Sequence, residues 1–197
     1  MLGLVLWGVG ALVRAVAGSA DLSAVRDLAK LRDPTLTSIS KALSLVGSAY
    51  VVLPLAVVAA AVVYRWRSLL GAAVVLCATF GAVAIENVDK KLVGRPRPPV
   101  HHLEAVTSAS FPSGHATQSA AFFGVVLATV LLALRTRDRD RDRRGLARAA
   151  VIAAVVVLVA AICFSRVYLG VHYPTDVAAG VLLGGLWTGW VVRTLHS

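Results

Sequence analysis

Charged residues are scarce in this chain of 197 amino acids. Asp, Glu, Lys and Arg together make up 15% of it, whereas a soluble domain contains about 25%. Hydrophobic residues make up 58%, above the usual share of about 45–50%. The excess is concentrated in long apolar runs, which are typical of membrane proteins. The composition therefore excludes an ordinary soluble globular domain.

Cysteine is also scarce. Cys77 and Cys163 are the only two, and each lies inside an apolar run without the short spacing of a metal site. We expect both to be inert residues that face the protein core or lipid. They give no information about the redox compartment.

Acidic residues are half as numerous as basic ones, so the formal net charge is +10. In a soluble protein this excess would first indicate nucleic-acid binding. Here much of the positive charge lies in short loops between apolar runs, and aromatic residues are not interleaved with it. The charge therefore favours bilayer orientation and anion chemistry, and no nucleic-acid partner is expected.

Six apolar runs predict an all-α integral membrane bundle that forms a single domain over residues 1–197. Backbone groups in lipid must be paired internally, so spans of this length are expected to be helices. The first run is read as a helix and not as a signal peptide, because no Lys or Arg precedes it. An interfacial helix is predicted over Leu22–Leu31. The six predicted spans are Leu2–Ala17, Ile39–Tyr64, Leu69–Val88, Ala116–Leu134, Ala149–Phe164 and Val177–Val192.

Loop charges predict the orientation of the bundle. Arg65, the arginine-rich stretch Arg135–Arg148 and Arg193 fall on one face, which we expect to be cytoplasmic. The opposite face still carries several cations, against the usual charge rule. These cations are Lys90, Lys91, Arg95, Arg97 and Arg166. Anion binding would explain why they lie on this face.

The first segment of chemical interest is Lys90–Pro99. Pro96 and Pro98 flank Arg97 and stiffen the chain. Arginine grips a phosphoryl group through its planar fork, and lysine acts as a point charge. A basic loop beside the membrane can also serve topology or lipid-surface binding alone, so this segment by itself leaves both readings open.

The second segment is Phe111–His115, directly before the fourth predicted span. Proline and serine favour a helix start, and the free N–H groups of a helix start bind anions. His115 would stand at the mouth of that site. A lone histidine at a helix start is usually structural, but the run from Pro112 to His115 is more specific.

The third segment is Ser165–Asp176. Pro174 is expected to open the sixth helix, with His172 just before it and Asp176 four residues after His172. That spacing can bring the carboxylate to one imidazole nitrogen and leave the other as a nucleophile. The alternative is a pair that only caps the helix. An ionisable residue this close to hydrocarbon favours function.

Together the three segments resemble the signatures of the type 2 phosphatidic acid phosphatase (PAP2) superfamily, which shares its core with vanadium-dependent haloperoxidases. Those signatures are Lys-x6-Arg-Pro, Pro-Ser-Gly-His and Ser-Arg-x5-His-x3-Asp. They fit here as Lys90 to Pro98, Pro112 to His115 and Ser165 to Asp176. Lys91 could share the role of Lys90. Arg95 followed by Pro96 has the wrong spacing for the first signature.

The resemblance implies a metal-independent hydrolysis through a phosphohistidine. His172 would be the nucleophile, Asp176 would orient it, and His115 would protonate the leaving oxygen and then activate water. Phosphate-binding roles fall to Lys90, Arg97, Ser113, the Gly114 N–H and Arg166. No cofactor or metal is expected, because a cation-rich site suits an anion, whereas Mg²⁺ favours clustered carboxylates. His101, His102 and Glu104 are read as an accessory polar edge.

The implied substrate is a membrane lipid phosphate, and the active site is expected on the extracytoplasmic face of a bacterial plasma membrane. Candidates are an isoprenoid diphosphate such as undecaprenyl diphosphate, placed slightly ahead, a phosphatidylglycerophosphate, or phosphatidic acid. A haloperoxidase-like enzyme is one alternative, but those proteins are larger and soluble. A lipid-binding or transport protein with an inactive site is another, which the intact His115, His172 and Asp176 disfavour. The sequence does not indicate an oligomeric state.

Overall fold

The structure, a computed structural model, describes residues 18–66, 68–135 and 141–196. These residues form seven helices, and no strand occurs among them. The helices are α1 (Gly18–Lys30), α2 (Pro34–Val46), α3 (Ala49–Trp66), α4 (Leu69–Val93), α5 (Gly114–Arg135), α6 (Arg141–Tyr168) and α7 (Pro174–His196).

Local sequence explains where several of these helices begin and end. The Asp33 side chain accepts hydrogen bonds from the backbone N–H groups of Thr35 and Leu36, and Pro34 opens α2. Ser68 caps the start of α4. Gly94 ends α4 with a φ of 57°, a left-handed conformation that glycine adopts without strain.

Five helices are long and apolar enough to cross a membrane: Ala49–Trp66, Leu69–Val93, Gly114–Ala133, Gly145–Tyr168 and Pro174–Leu195. The all-helical membrane architecture is thus confirmed, and the last four predicted spans each correspond to one helix. The predicted interfacial helix is also present, as α1, and begins four residues earlier than expected. The first predicted span, Leu2–Ala17, lies outside the described residues.

The prediction of one continuous second span over Ile39–Tyr64 is wrong. The chain forms two helices there, α2 and α3, separated at Gly47 and Ser48. Gly47 lies so close to α6 that an added Cβ would be 2.5 Å from Cγ2 of Ile162. The break lets α2 pack against α6, and this packing carries Ser44 towards the site described below.

Helix α5 is the centre of the bundle and packs against α3, α4, α6 and α7. Its closest neighbour is α7, which approaches through two glycines one turn apart. A Cβ on Gly180 would lie 2.7 Å from the carbonyl oxygen of Ser113, and one on Gly184 would collide with the carbonyl oxygen of Thr117. Small residues at this spacing let two helix backbones approach closely, as is common in membrane bundles.

The outer surface of the bundle is apolar. Val58, Leu182, Leu186 and Trp190 are each more than half exposed. Such a surface would be unfavourable in water, and lipid tails account for it. The chain reverses between successive spans, so the end of α4, the start of α5, the end of α6 and the start of α7 share one face.

Candidate active site

Residues from all three predicted segments meet on that face. The 94–113 segment crosses it between α4 and α5, and residues 169–173 join α6 to α7. Backbone hydrogen bonds connect these pieces: the Ser113 N–H donates to the Asp176 carbonyl at 3.0 Å, and the Ser110 N–H donates to the Arg95 carbonyl at 2.8 Å. Residues distant in sequence therefore share one site.

His172 lies at the centre of this site with 2% of its surface exposed. Its Nε2 is 3.3 Å from Nη1 of Arg97, and its Nδ1 is 3.6 Å from Oδ2 of Asp176. The pKa of His172 is lowered to about 4, chiefly by burial and also by the charge of Arg97, while Asp176 acts to raise it. The imidazole is therefore neutral at neutral pH, as a nitrogen nucleophile must be.

Asp176 is fully buried beside His172. The 3.6 Å separation is longer than a hydrogen bond, and Nδ1 of His172 has no hydrogen-bond partner among the described residues. The carboxylate oxygens are already engaged. Oδ1 accepts from Arg95 at 2.5 Å, and Oδ2 accepts from the Ser110 hydroxyl and from the Tyr173 N–H at 2.9 Å. The expected approach of Asp176 to an imidazole nitrogen is present, but other partners fix the carboxylate.

Arg95 was set aside in the sequence because its spacing does not match the first signature, yet it lies directly beneath the site. It is 5% exposed and forms ion pairs with Asp176 and, at 2.8 Å, with Asp21 of α1. Its guanidinium lies 4.0 Å from the centre of the Tyr173 ring. Burial acts to lower the pKa of Arg95, but Asp176 and Asp21 outweigh burial and raise it.

Arg97 occupies the opening of the site. Its Nε donates to the Ser108 carbonyl at 2.8 Å and its Nη1 donates to the Val171 carbonyl. Burial and the neighbouring charge of Arg166 lower the pKa of Arg97 to about 10, so the side chain stays protonated at neutral pH. Because these acceptors are neutral, a full positive charge stands beside Nε2 of His172.

The second segment contributes the start of α5. Ser113 is buried, and its hydroxyl oxygen has no hydrogen-bond partner among the described residues. Gly114 begins the helix, and a Cβ there would collide with the Glu86 carboxylate. This close approach explains the glycine. His115 follows, with Nε2 3.5 Å from the hydroxyl oxygen of Ser44.

The two adjacent lysines differ in environment. Lys90 reaches the buried carboxylate of Glu86, with Nζ 3.4 Å from Oε1, on the side of α4 that faces Gly114. Lys91 is exposed. The structure therefore brings Lys90 to the site and leaves Lys91 outside it.

Arg166 is almost completely buried at the end of α6. Its Nη1 donates to Oε2 of Glu104 at 2.5 Å and to the hydroxyl of Ser44. Sequence reasoning missed Ser44, and it read Glu104 only as part of an accessory edge with His101 and His102. No pattern in the sequence connects Ser44 to Arg166, because their contact depends on how α2 crosses α6.

The described residues contain no cluster of three His, Cys, Asp or Glu side chains arranged to hold a metal ion. The ring of His102 contacts the Pro98 carbonyl at 2.9 Å, and Glu104 binds Arg166. What the site does offer is a buried neutral imidazole, four cationic side chains, of which Arg95 is paired with two carboxylates, and the start of a helix. This combination suits the binding of a tetrahedral anion.

Several known proteins are similar to this chain in sequence or in fold. Phosphatidylglycerophosphatase B of Bacillus subtilis is 30% identical over 167 residues, covering 84% of this chain and 78% of that protein. An undecaprenyl-diphosphatase of Sulfolobus acidocaldarius is 29% identical over 169 residues, covering 83% of this chain and 72% of its own length. The crystal structure of a transmembrane PAP2-type phosphatidylglycerolphosphate phosphatase from Bacillus subtilis superposes with a TM-score of 0.84 at 27% identity, covering 98% of this chain and 92% of that one.

The family model of the PAP2 superfamily matches residues 71–197, which contain all three sequence segments and helices α5 to α7. The match covers well over half of the chain, and the resemblance inferred from the three segments is confirmed at the level of the family. The chain belongs to the PAP2 superfamily.

Proposed function

We propose that this integral membrane phosphatase hydrolyses a phosphate ester or anhydride of a membrane lipid, without a metal ion, through a phosphohistidine at His172. The observation that carries the proposal is the environment of His172. Its imidazole is buried and neutral, Asp176 lies on one side, and Arg97 lies 3.3 Å from the other ring nitrogen. The names of the relatives support a lipid phosphate as the substrate.

In the proposed first step, the terminal phosphoryl group lies in front of His172 and is held by Arg97, Arg166 and Lys90. The Ser113 hydroxyl and the Gly114 N–H bind its oxygens at the start of α5. Nε2 of His172 attacks phosphorus, and the N–P bond forms as the P–O bond to the lipid breaks. His115, which enters this step protonated, gives its extra proton to the departing oxygen. Asp176 stabilises the positive charge that develops on the His172 ring.

In the second step, His115 takes a proton from a water molecule, and the water oxygen attacks phosphorus. The N–P bond breaks, inorganic phosphate leaves, and the His172 ring returns to its neutral state. Both steps depend on positioning and on charge stabilisation, which is the usual source of catalysis in phosphoryl transfer.

Charge placement supports an extracytoplasmic site. Arg65 and Arg193 lie at the end of the bundle remote from His172, and positively charged loops favour the cytoplasmic side. We propose that the site opens to the outer leaflet of a bacterial plasma membrane.

Phosphate release by the purified protein tests the proposal. With EDTA present, we expect inorganic phosphate from at least one of undecaprenyl diphosphate, phosphatidylglycerophosphate and phosphatidic acid. A strict requirement for an added divalent metal would contradict the mechanism. No release from any of the three lipids would contradict the assigned substrate class.

A further inference from the structure

Glu104 is held in a defined position on the loop above the site. The N–H of the preceding residue, Leu103, donates to the Leu169 carbonyl at 3.0 Å. Leu103 and Val106 both pack against the apolar cluster of Tyr168, Leu169 and Val171. The chain is therefore anchored on both sides of Glu104, and the Glu104 side chain is 25% exposed at the edge of the site.

A continuous series of contacts runs from Glu104 to His115. The Glu104 carboxylate binds Nη1 of Arg166 at 2.5 Å, and the same Nη1 donates to the hydroxyl of Ser44. The Ser44 oxygen lies 3.5 Å from Nε2 of His115. The Arg166 guanidinium and the Ser44 hydroxyl thus link the carboxylate to His115.

The link to His115 indicates that Glu104 lies near the leaving group of the substrate. In-line transfer puts the nucleophile and the leaving oxygen on opposite sides of phosphorus. If His172 attacks and His115 protonates the leaving oxygen, Ser44 and Glu104 belong to the side of the leaving group. We infer that Glu104 is a specificity-determining residue that favours lipid phosphomonoesters over lipid diphosphates. This inference rests on the proposed function and narrows its substrate class.

Charge provides the physical reason. The leaving group of a phosphomonoester is an alcohol, which is neutral once it is protonated. The leaving group of a diphosphate is a lipid phosphate, which stays anionic. A carboxylate nearby repels that anion, and it also occupies the Nη1 donor of Arg166 that could otherwise bind it. Like charges in a partly desolvated site discriminate against the wrong ligand.

A matched pair of substrates tests the inference directly. Farnesyl monophosphate and farnesyl diphosphate carry the same tail, so tail recognition cancels in the ratio of their kcat/KM values. We expect the wild-type protein to favour the monophosphate. Glu104→Gln keeps the shape but removes the charge, and it should raise the ratio of diphosphate to monophosphate by roughly tenfold.

Asp27→Asn is the matched control, because it removes the same charge from an exposed position at which Asp27 pairs with Lys30. We expect that variant to keep the wild-type ratio. Hydrolysis of both substrates by Glu104→Gln at an unchanged ratio would overturn the inference and leave the proposed function standing. If Glu104→Gln does not fold, the kcat/KM values of the wild-type protein for the two substrates provide the test. A value for the diphosphate that equals or exceeds that for the monophosphate also overturns the inference. No phosphate from either substrate would overturn the proposed function as well.

Discussion

Asp176 serves two side chains, His172 and Arg95. Its carboxylate lies 3.6 Å from Nδ1 of His172 and 2.5 Å from Nη1 of Arg95. Asp21 binds the other terminal nitrogen of Arg95. The charge beside Nδ1 of the proposed nucleophile therefore belongs to a buried group of two carboxylates and one guanidinium, whereas Arg97 lies beside Nε2. We expect a substitution of Asp176, Arg95 or Asp21 to change the electrostatic environment of His172.

Replacing Arg95 with methionine tests this buried group. The variant leaves two buried carboxylates without their cation, and removal of one partner of a buried ion pair costs about 3–5 kcal/mol. We expect a clear fall in the thermal unfolding temperature in detergent, together with lower phosphatase activity. Arg65→Met is the matched control, because Arg65 is exposed. Equal unfolding temperatures for the two variants would show that the buried group does not stabilise the fold.

The protonation state of His172 gives a second residue-scale prediction. Its pKa in the folded protein is about 4, below the ordinary histidine value of 6.5. Between pH 4 and pH 6.5 the unfolded chain binds a proton at His172 that the folded protein does not bind. The contribution of His172 to stability therefore falls as the pH drops through this window.

¹⁵N NMR tests this protonation state. Histidine-labelled protein at about pH 5.5, where a free histidine is mostly protonated, should show a neutral His172 ring. The signal is assigned by its loss in His172→Gln, and an imidazolium shift there would contradict the prediction.

Sequence reasoning found the residues that belong to compact motifs and missed those that do not. His115, His172 and Asp176 occur in short segments whose residue types and spacing carry chemical meaning. Arg95 meets Asp21 across 74 positions, and Arg166 meets Ser44 across 122. Contacts of that range depend on helix packing, which hydropathy and motif spacing do not specify.

At the scale of helices, the geometry of the site depends on how closely α5 and α7 approach. Helix α5 begins at Gly114, directly after Ser113, and α7 carries Asp176 in its first turn. Gly180 and Gly184 of α7 allow the close contact with α5. Larger side chains at Gly180 and Gly184 would move the start of α5 away from Asp176.

Gly184→Ala tests this packing, with Gly185→Ala as the control. A Cβ at Gly184 would collide with a backbone carbonyl, whereas a Cβ at Gly185 would meet nothing within 4 Å. We expect Gly184→Ala to destabilise the protein by on the order of 1–3 kcal/mol and to lower activity. Gly185→Ala should be neutral or stabilising by up to about 1 kcal/mol, because alanine favours the helix. Equal stability and activity of both variants would show that the α5 to α7 contact is not tight.

Hydropathy predicted the last four spans well, since long apolar runs in lipid have few alternatives to a helix. It failed at the second span, where the division at Gly47 and Ser48 leaves α2 too short to cross a membrane alone. The apolar character continues through α3, so composition did not reveal the break. The break coincides with the close packing of Gly47 against α6, a tertiary contact that hydropathy does not report.

For the whole molecule, the distribution of charge predicts the orientation of the site. Single cysteines test this orientation when they are introduced into a variant whose own two cysteines are removed by Cys77→Ser and Cys163→Ala. Thr107 lies on the exposed loop above the site, and Gly145 lies near the opposite end of α6. We expect a membrane-impermeant maleimide to label Thr107→Cys in intact cells and to label Gly145→Cys only after the membrane is opened. The reverse pattern would place the site in the cytoplasm.

The central claim is that His172 carries the phosphoryl group between lipid and water. The most direct measurement is to trap that group with a lipid phosphate radiolabelled at its terminal phosphorus, followed by an alkaline quench and peptide mapping. The account predicts a label on His172 that acid removes. The label should be absent in His172→Ala and should accumulate in His115→Ala whenever the first step still proceeds, because water is then poorly activated. Phosphate release by His172→Ala at the wild-type rate, or a label on a different residue, would contradict the account.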